Sequence, residues 1–421
     1  MALSSSPTKC RTDLRYSQAL ACNQVICCLA DYRTLVIQTT KHPQNRHLDK
    51  SVVYVPHMDL LRALAISCVF LGHLLHNAFP VRPFQYHGIL GYHDSFLQTY
   101  LMLFFGSGHL GVVMFFMISG FCIRLSTVRN PVLDCGKFMW KRLWRIAPPY
   151  WLCLGLLVFV GYNNPTHGNR ALDFALHTVF LHNITANSFQ SINGPFWSIA
   201  LEVQTYAMFP LLLLMISRLG KFRAGVILAG LTFFSALVGR PSVQGILHEH
   251  IFFAFLGRSP LTLWFAWYLG LVLADDYLKG KVNMWNSWML VALLFAFLPL
   301  VTMVYVLSPF GEPFNALLVY LIAERLLHSP LPKHSLVRWI SFIGTVSYSI
   351  YLWFDPILSV ASQWCLNRGI VGFWLTAVGC LVVFPAVIAL SYLLFGTVES
   401  PSIRIGRLLY SKVFRKQPTV G

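Results

Sequence analysis

The stretch DLLRALAISCVFLGHLLH, residues 59–76, is apolar apart from a few ionisable side chains. Arg62 and His73 lie eleven positions apart in it, which is close to three turns of an α-helix. Both side chains are therefore on one helix face, ~16 Å apart along the axis. Ionisable residues inside a membrane helix are costly and mark functional sites by default. We interpret the segment as a membrane helix. Arg62 would bind an anion near one membrane surface, and His73 would transfer protons inside the membrane.

The composition also predicts a membrane-embedded chain. Of the 421 residues, 56% are hydrophobic and 11% are charged, and the mean hydropathy is +0.61, whereas soluble domains average about 25% charged residues. Aromatic residues make up 15% of the chain, as expected for helices with interfacial aromatic belts. The formal charge of +17 would suit a nucleic acid, but it is distributed as in a membrane protein, so we expect no nucleic-acid partner.

About ten hydrophobic segments have the length of a bilayer-crossing helix, ~20 residues. They predict an all-α, polytopic transmembrane helix bundle of about ten spans. The segments are residues 60–80, 97–123, 146–162, 196–217, 223–239, 258–275, 285–307, 313–328, 340–364 and 371–396. Residues 172–189 are weaker and amphipathic, and we interpret them as an outer loop or an interfacial helix.

Lysine and arginine residues fall mostly on one predicted side of the membrane. With the N-terminus in the cytoplasm, 26 of the 32 lie in cytoplasmic loops and tails and five lie outside. Arg62 is the remaining one. By the positive-inside rule, this asymmetry predicts that both termini are cytoplasmic and that residues 163–195 face outside. Part of the excess positive charge also suits anionic membrane lipid.

Three regions differ in composition. Residues 1–57 are polar and basic, and we interpret them as a cytoplasmic segment that is either disordered or due to a mis-assigned start codon. Residues 58–404 contain the membrane domain, and residues 405–421 form a basic cytoplasmic tail. The ten cysteines show no pairing pattern, so we expect free thiols in a reducing cytoplasm.

His73 has three interpretations. With His76 three positions later it could bind a metal ion, but no third ligand is evident and we predict no metal site. It could also be a structural histidine. Its register with Arg62 favours a catalytic base, because a neutral imidazole can take a proton from a hydroxyl at neutral pH.

Glu202 lies inside a predicted span, with Ser198 and Tyr206 four residues before and after it. This spacing puts all three side chains on one helix face. A buried carboxylate must be paired, hydrogen-bonded or protonated. Glu202 is therefore either the structural partner of an arginine or a residue that orients the substrate or the catalytic histidine.

Two further segments contain candidate residues. GHLGVVMFFMISGF, residues 108–121, places small residues among bulky ones, which lets helices approach closely; we interpret His109 in it as structural. KRLWRIAPPYW, residues 141–151, combines Arg142 and Arg145 with a Pro-Pro break. These cations would meet either lipid phosphates or the phosphates of a cytoplasmic ligand.

Two carboxylates occur late in the chain, both next to or near a proline. Asp355 lies inside a predicted span, in SYSIYLWFDPI, and Glu399 lies at the end of the last span, in VESPSIR. An acidic side chain in either place is a functional group or an interfacial anchor.

Taken together, these segments resemble the integral-membrane acyltransferase family, also called the acyltransferase 3 family, over roughly residues 57–404. The resemblance is carried, in the family's order, by Arg62 and His73, by Gly108 to Phe121, by Arg142, Arg145, Ile146, Pro148 and Tyr150, by Trp197, Ser198, Glu202 and Tyr206, by Ser347 to Trp353, and by Glu399, Pro401 and Arg404. Many relatives have histidine where this chain has Phe354, so the substrate should be handled differently there.

The resemblance implies a membrane O-acyltransferase that moves an acyl group, usually acetyl, from acyl-CoA to a hydroxyl of a sugar, a polysaccharide or a lipid-linked glycan. It implies no cofactor besides this donor, and a location in a bacterial-type plasma membrane. The implied catalytic residues are His73 and Glu202. The implied substrate-binding residues are Arg62, Arg142, Arg145, Trp197, Ser198, Tyr206, Tyr348 and Tyr351.

In the implied mechanism, acyl-CoA approaches from the cytoplasm and its phosphates meet the arginines. His73 then deprotonates the acceptor hydroxyl or takes the acyl group covalently. The alternative is a polytopic transporter or flippase for a sugar or lipid, because intramembrane charges fit that function too. Transporters often have repeat symmetry between their halves, and the sequence shows no internal repeat.

Overall fold

The computed structural model describes residues 55–79, 108–128, 134–162, 169–240, 251–283, 285–303, 307–331 and 334–414. Within these ranges the secondary structure is helical and contains no strand, which confirms the all-α prediction. The helices of the described chain are α1 (Pro56–Ala78), α2 (Gly108–Thr127), α3 (Cys135–Phe159), α4 (Arg170–Thr178), α5 (Ala186–Phe189), α6 (Phe196–Ala207), α7 (Phe209–Val238), α8 (Ile251–Leu256), α9 (Leu261–Leu278), α10 (Trp288–Met303), α11 (Gly311–Leu327), α12 (Ser335–Thr345), α13 (Ser347–Leu366), α14 (Gly372–Val378), α15 (Phe384–Leu394) and α16 (Ser400–Phe414). Short 3₁₀ turns (His182–Ile184, Ser308–Phe310) and π-helical stretches (Gly379–Val383, Phe395–Glu399) lie between them.

Several helices are suited to a bilayer. In the described chain, α1, α2 and the continuous run Gly372–Tyr410 are each long and apolar enough to cross a membrane. Helices α6 and α7 meet the same criterion together, with a bend of 52° between them, so up to four stretches qualify. The count of about ten spans and the cytoplasmic termini stay predictions. The N-terminal segment predicted for residues 1–57 lies outside the described residues except for its last three positions.

Of two breaks predicted from the sequence, one is present in the structure and the other is not. The boundary expected between spans near residue 220 is a change of direction inside α7, at Gly220, whose φ is +77°; glycine adopts this conformation without a Cβ clash. The break expected at Pro148 and Pro149 is absent, because α3 continues through both. The Tyr348 hydroxyl donates a hydrogen bond to the Ile146 carbonyl in this stretch (2.8 Å).

The structure also describes the segment 172–189 and the predicted start of the C-terminal tail. Residues 172–189, expected to be an outer loop or an interfacial helix, contain the nine-residue α4 and the four-residue α5. The boundary predicted between residues 404 and 405 falls within α16, which continues to Phe414. The described part of the basic tail therefore belongs to the last helix.

The glycine-rich segment 108–121 lies where α2 packs against α1 and α9. A Cβ on Gly111 would lie 2.3 Å from the Ala65 carbonyl oxygen, and a Cβ on Gly120 would lie 2.0 Å from the Trp267 carbonyl oxygen. Real Cβ atoms do not approach backbone oxygens this closely. The prediction that small residues here permit close helix packing is therefore confirmed.

Helices α1 and α2 run antiparallel. Arg62 on α1 contacts Sγ of Cys122 near the C-terminus of α2 (3.2 Å), whereas Gly72 lies beside Gly108, where α2 begins. The predicted arginine and histidine thus mark opposite ends of the helix pair. We refer to these as the Arg62 end and the His73 end.

Candidate active site

A cavity opens at the Arg62 end, lined by residues of α1, α2, α3, α6 and α13. It contains about 770 Å³ of empty space, its open mouth included. Eight of the ten predicted site residues line it, namely Arg62, Arg142, Arg145, Ser198, Glu202, Tyr206, Tyr348 and Tyr351. The remaining two, His73 and Trp197, do not contribute to the lining.

Three guanidinium groups face this cavity. Arg62 pairs with Asp59 one turn earlier on α1 (2.5 Å). Arg142 is only 7% exposed, and its guanidinium lies over the Tyr206 ring, 5.2 Å from the ring centroid. Partly desolvated arginines of this kind are well suited to bind phosphates in bidentate fashion. The structure therefore brings together the cations that sequence analysis assigned to an anionic ligand.

Glu399 lies behind the same cations and is buried, so it is not an interfacial anchor. Its carboxylate accepts a hydrogen bond from Ser349 Oγ (2.7 Å), and it is within electrostatic range of Arg145 and Arg62. This buried carboxyl group is therefore part of the electrostatic environment of the two guanidinium groups.

The Glu202 carboxylate accepts a hydrogen bond from the Tyr206 hydroxyl, one turn later on α6. The same hydroxyl is 3.0 Å from Ser119 Oγ, to which Trp267 Nε1 donates (3.3 Å). The contact between Glu202 and Tyr206 is the one that their spacing predicts. Whether Glu202 acts on the substrate stays a prediction.

A hydroxyl pair lies in the cavity lining. Ser198 Oγ and the Tyr351 hydroxyl are 2.7 Å apart, and Tyr351 also donates to the Pro195 carbonyl (3.1 Å). Tyr351 lies one turn before Asp355 on α13. Asp355 is therefore on the same face of α13, one turn beyond the cavity lining.

At the His73 end, His73 Nδ1 lies 3.0 Å from Asp355 Oδ1. The imidazole also meets the Phe354 ring edge-on, with centroids 5.0 Å apart. An ionised carboxylate only accepts hydrogen bonds, so the neutral form of this imidazole carries its proton on Nδ1 and its lone pair on Nε2. The His73 side chain is 40% exposed. This arrangement presents an oriented, accessible base or nucleophile.

Asp355 is the partner of His73, and sequence analysis left its role undecided. The available signal was an acidic side chain in an apolar segment, directly before Pro356. Its partner could not be inferred, because 282 positions separate the two residues. Sequence analysis offered Glu202 as the residue that orients His73, and in the structure the carboxylate beside His73 is that of Asp355.

Trp197, predicted to bind substrate, lies at the start of α6. Its ring is nearly parallel to that of His109, with centroids 6.1 Å apart. His109, interpreted from sequence as structural, makes an ion pair with Glu312 (2.8 Å). Among the described residues, no three His, Cys, Asp or Glu side chains are grouped so as to hold a metal ion.

An all-helical fold suited to a bilayer, with an arginine-lined cavity and a histidine paired with a carboxylate, fits the class of membrane-bound enzymes that transfer a group from an anionic donor. The chain belongs to the acyltransferase 3 family, because the family model described as "Acyltransferase domain" matches residues 55–396. The protein is therefore a membrane O-acyltransferase.

Three curated relatives are similar to this chain. A putative acetyltransferase, ORF330, of Acidianus two-tailed virus is 28% identical over 65% of this chain and 80% of the relative. The peptidoglycan O-acetyltransferase OatA of Listeria monocytogenes is 24% identical over 86% of this chain and 58% of the relative. The putative membrane-bound transacylase BcsY of Komagataeibacter xylinus is 27% identical over 41% of this chain and 39% of the relative. No solved structure matches this chain.

Proposed function

We propose that the protein transfers an acyl group, in the first instance acetyl, from acyl-CoA to a hydroxyl of a sugar, a polysaccharide or a lipid-linked glycan. The names of two relatives, a peptidoglycan O-acetyltransferase and a putative acetyltransferase, support an acetyl group and a saccharide acceptor. The observation that carries the choice of donor is the convergence of Arg62, Arg142 and Arg145 on one cavity.

The lining of the cavity supports a coenzyme A thioester as the donor. The donor's phosphates would bind the guanidinium groups, whose planar forks match phosphate geometry. The apolar part of the lining, which includes Val112, Phe115 and Phe116, would contact the less polar pantetheine arm. Phe115 also touches the Tyr351 ring edge-on, with centroids 5.9 Å apart. The thioester would therefore extend past Tyr351 toward His73.

The chemistry would use His73 Nε2 in one of two ways. As a general base, Nε2 takes the acceptor's hydroxyl proton while the oxygen attacks the thioester carbonyl, the C–S bond breaks, and the thiolate receives the proton. As a nucleophile, Nε2 attacks the carbonyl, and the C–S bond breaks to release the thiolate. The acceptor oxygen then attacks the acyl group, the acyl–Nε2 bond breaks, and the hydroxyl proton passes through Nε2 to the thiolate. In both routes, Asp355 holds the ring and stabilises its cationic form.

The two substrates would approach from opposite sides. The arginines and His73 mark opposite ends of α1, and the cytoplasmic side carries most of the positive charge in the predicted topology. The donor would enter from the cytoplasm and the acceptor from the other face of a multi-pass protein in a bacterial-type plasma membrane. A sugar or lipid transporter has no support in the family to which the chain belongs.

The test uses the full-length protein in lipid nanodiscs, with acetyl-CoA that carries a labelled acetyl group and with a cell-envelope polysaccharide extract as acceptor. The expected result is label in the polysaccharide together with an equal amount of released CoA, and neither with His73→Ala. The proposal fails if the wild-type protein transfers no label from acetyl-, propionyl- or octanoyl-CoA.

A further inference from the structure

Aromatic and charged side chains gather outside the cavity, around Trp197. The His109 ring is inclined by only 9° to the Trp197 ring. Phe189 lies on another side of Trp197, with ring centroids 5.8 Å apart, and the Arg258 guanidinium lies over Phe189, 5.9 Å from its centroid. The three rings thus form a continuous aromatic row with a cation at one end.

An anion lies at the other end of this row. His109 Nε2 is 2.8 Å from Glu312 Oε1 and 2.9 Å from Oε2. The two side chains are 40% and 22% exposed, and Phe189 and Trp197 are half-buried. The polar atoms and part of the ring surfaces are therefore accessible to a ligand. We refer to Phe189, Trp197, His109 and Glu312 as the aromatic cluster.

The cluster borders the His73–Asp355 pair. His109 follows Gly108, which lies beside Gly72, the residue before His73. Trp197 follows the turn that contains Gly194, where a Cβ would lie 3.8 Å from Asp355 Oδ2. Two elements, the start of α2 and the start of α6, thus place the cluster near His73 and Asp355.

We propose that the aromatic cluster binds the saccharide acceptor and presents its hydroxyl to His73. A sugar ring has apolar C–H faces, which pack on aromatic faces, and hydroxyl edges, which need hydrogen-bond acceptors and donors. Trp197 and His109 supply the faces and Glu312 the acceptor. This assignment deepens the proposed function and rests on it.

The alternative for Trp197 is that it lies at the membrane interface and binds no ligand. Trp364 has the features expected of such an interfacial tryptophan and serves for comparison. Trp364, near the C-terminus of α13, is 52% exposed and has the Arg368 guanidinium over its ring, 3.8 Å from the centroid. Trp197 differs because its neighbours are an imidazole bound to a carboxylate and a second aromatic ring. Ligand sites have this mixture of apolar surface and a few placed polar groups.

The experiment measures binding of cellotetraose, chitotetraose and maltotetraose to the full chain in nanodiscs by isothermal titration calorimetry. The variants are Trp197→Leu and Glu312→Gln, and Trp364→Leu is the matched control. We expect at least one tetrasaccharide to bind the wild type and its Kd to rise about tenfold in Trp197→Leu, which corresponds to about 1.4 kcal/mol. Glu312→Gln should raise it severalfold, and Trp364→Leu should not change it.

Measuring acetyl-CoA binding in the same variants distinguishes failure of this proposal from failure of the proposed function. Acetyl-CoA affinity should be the same in all three variants, and this result would also show that they are folded. If Trp197→Leu does not fold, the saccharide Kd values of Trp197→Phe and Glu312→Gln test the proposal instead. Absence of binding to all three tetrasaccharides, or equal Kd values in wild type, Trp197→Leu and Glu312→Gln, overturns the acceptor site. A different outcome separates the two proposals. If Trp197→Leu loses saccharide binding but the wild type transfers no acetyl group, the acceptor site is supported and the proposed acyl-transfer reaction is wrong.

Discussion

His73 Nδ1 and Asp355 Oδ1 lie 3.0 Å apart, although 282 positions separate the two residues in the chain. The carboxylate leaves Nε2 of the imidazole free, and the edge of Phe354 supports the ring. Relatives with histidine in place of Phe354 would have a second imidazole here. This chain instead has an apolar ring followed by a carboxylate, so His73 is the imidazole that we expect to act.

Replacing His73 with alanine should abolish acyl transfer and leave expression and folding intact. General-base catalysis typically contributes ~10²–10⁴-fold, and loss of a covalent nucleophile should cost at least as much. Labelled acetyl transfer in nanodiscs is the measurement. His76→Ala is the matched control, since His76 is exposed on the next turn of the same helix. Activity above about half of wild type in His73→Ala would remove His73 from the chemistry.

Asp355→Asn should lower kcat about 10- to 100-fold and leave the donor KM unchanged. A hydrogen bond to a charged group is worth roughly 1.5–3 kcal/mol, which corresponds to that change in rate. Asp355→Glu should recover part of kcat, because it restores the anion with a longer side chain. A purely structural role would show as poor folding with no separation of kcat from KM, and an unchanged kcat in Asp355→Asn would exclude any role in positioning His73.

Arg62→Ala and Arg145→Ala should raise the donor's apparent KM by about tenfold to a hundredfold. Each variant loses a charge-assisted hydrogen bond to a donor phosphate, worth roughly 1.5–3 kcal/mol, while chemistry at saturation continues. Arg→Lys should recover only part of the affinity, because lysine lacks the bidentate fork. Direct acetyl-CoA binding in nanodiscs is the measurement.

The control for the arginine variants is Arg218→Ala, because Arg218 is exposed and does not line the cavity. The alternative for the cavity arginines is a purely structural role or a contact with lipid phosphates. It predicts poor expression or aggregation, with normal donor affinity in the surviving protein. Unchanged donor affinity in well-folded Arg62→Ala and Arg145→Ala variants would leave the donor's entry side without support.

Gly120→Ala should destabilise the protein by about 1–3 kcal/mol or more, as expected for overpacking. Its Cβ would lie 2.0 Å from the Trp267 carbonyl oxygen, and backbone on a neighbouring helix cannot move aside easily. Gly155→Ala on α3 is the control, because a Cβ there has no neighbour within 4 Å among the described residues. It should be neutral or slightly stabilising, since alanine is the better helix former. Thermal unfolding in detergent compares the two, and equal midpoints would contradict the close packing of α2 on α9.

Stability should fall as the pH decreases from about 7 to 5. His177 and His182 are fully buried and stack on each other, with centroids 4.0 Å apart. Burial, together with the nearby His177, holds the pKa of His182 well below its usual value of 6.5, and burial also lowers the pKa of His177. Below pH ~6.5 the unfolded state therefore binds protons that the folded state does not, so stability decreases by up to about 1.4 kcal/mol per pH unit for each histidine.

The measurement for this pair is the thermal midpoint between pH 7.5 and 5, for wild type and for His182→Gln. The variant should be less stable at pH 7.5, because it disrupts a buried stack, but its midpoint should decrease less on acidification. A wild-type midpoint that is constant over this range, or an equal decrease in the variant, would contradict the linkage.

Local features of the site could be predicted from the sequence because they depend on the period of one helix. The common face of Arg62 and His73 and the contact of Glu202 with Tyr206 both follow from 3.6 residues per turn. The close packing of α2 against its neighbouring helices could also be predicted, because Gly111 and Gly120 are small residues in a segment of bulky ones. The all-α class and the suitability of several segments for a bilayer likewise depend on composition and on the length of apolar runs.

Relations between helices were decided only by the tertiary structure. The pairing of His73 with Asp355 and of His109 with Glu312, and the convergence of arginines from α1 and α3 on one cavity, depend on how helices far apart in the chain are oriented and packed. The hydrophobic pattern of a helix specifies that one face is buried but not which helix covers it. The sequence by itself therefore determined the class of fold and which residues are candidates, and the packing of α1 against α2 and α13 decided which of them meet, because side-chain contacts between helices are set by three-dimensional geometry and not by sequence spacing.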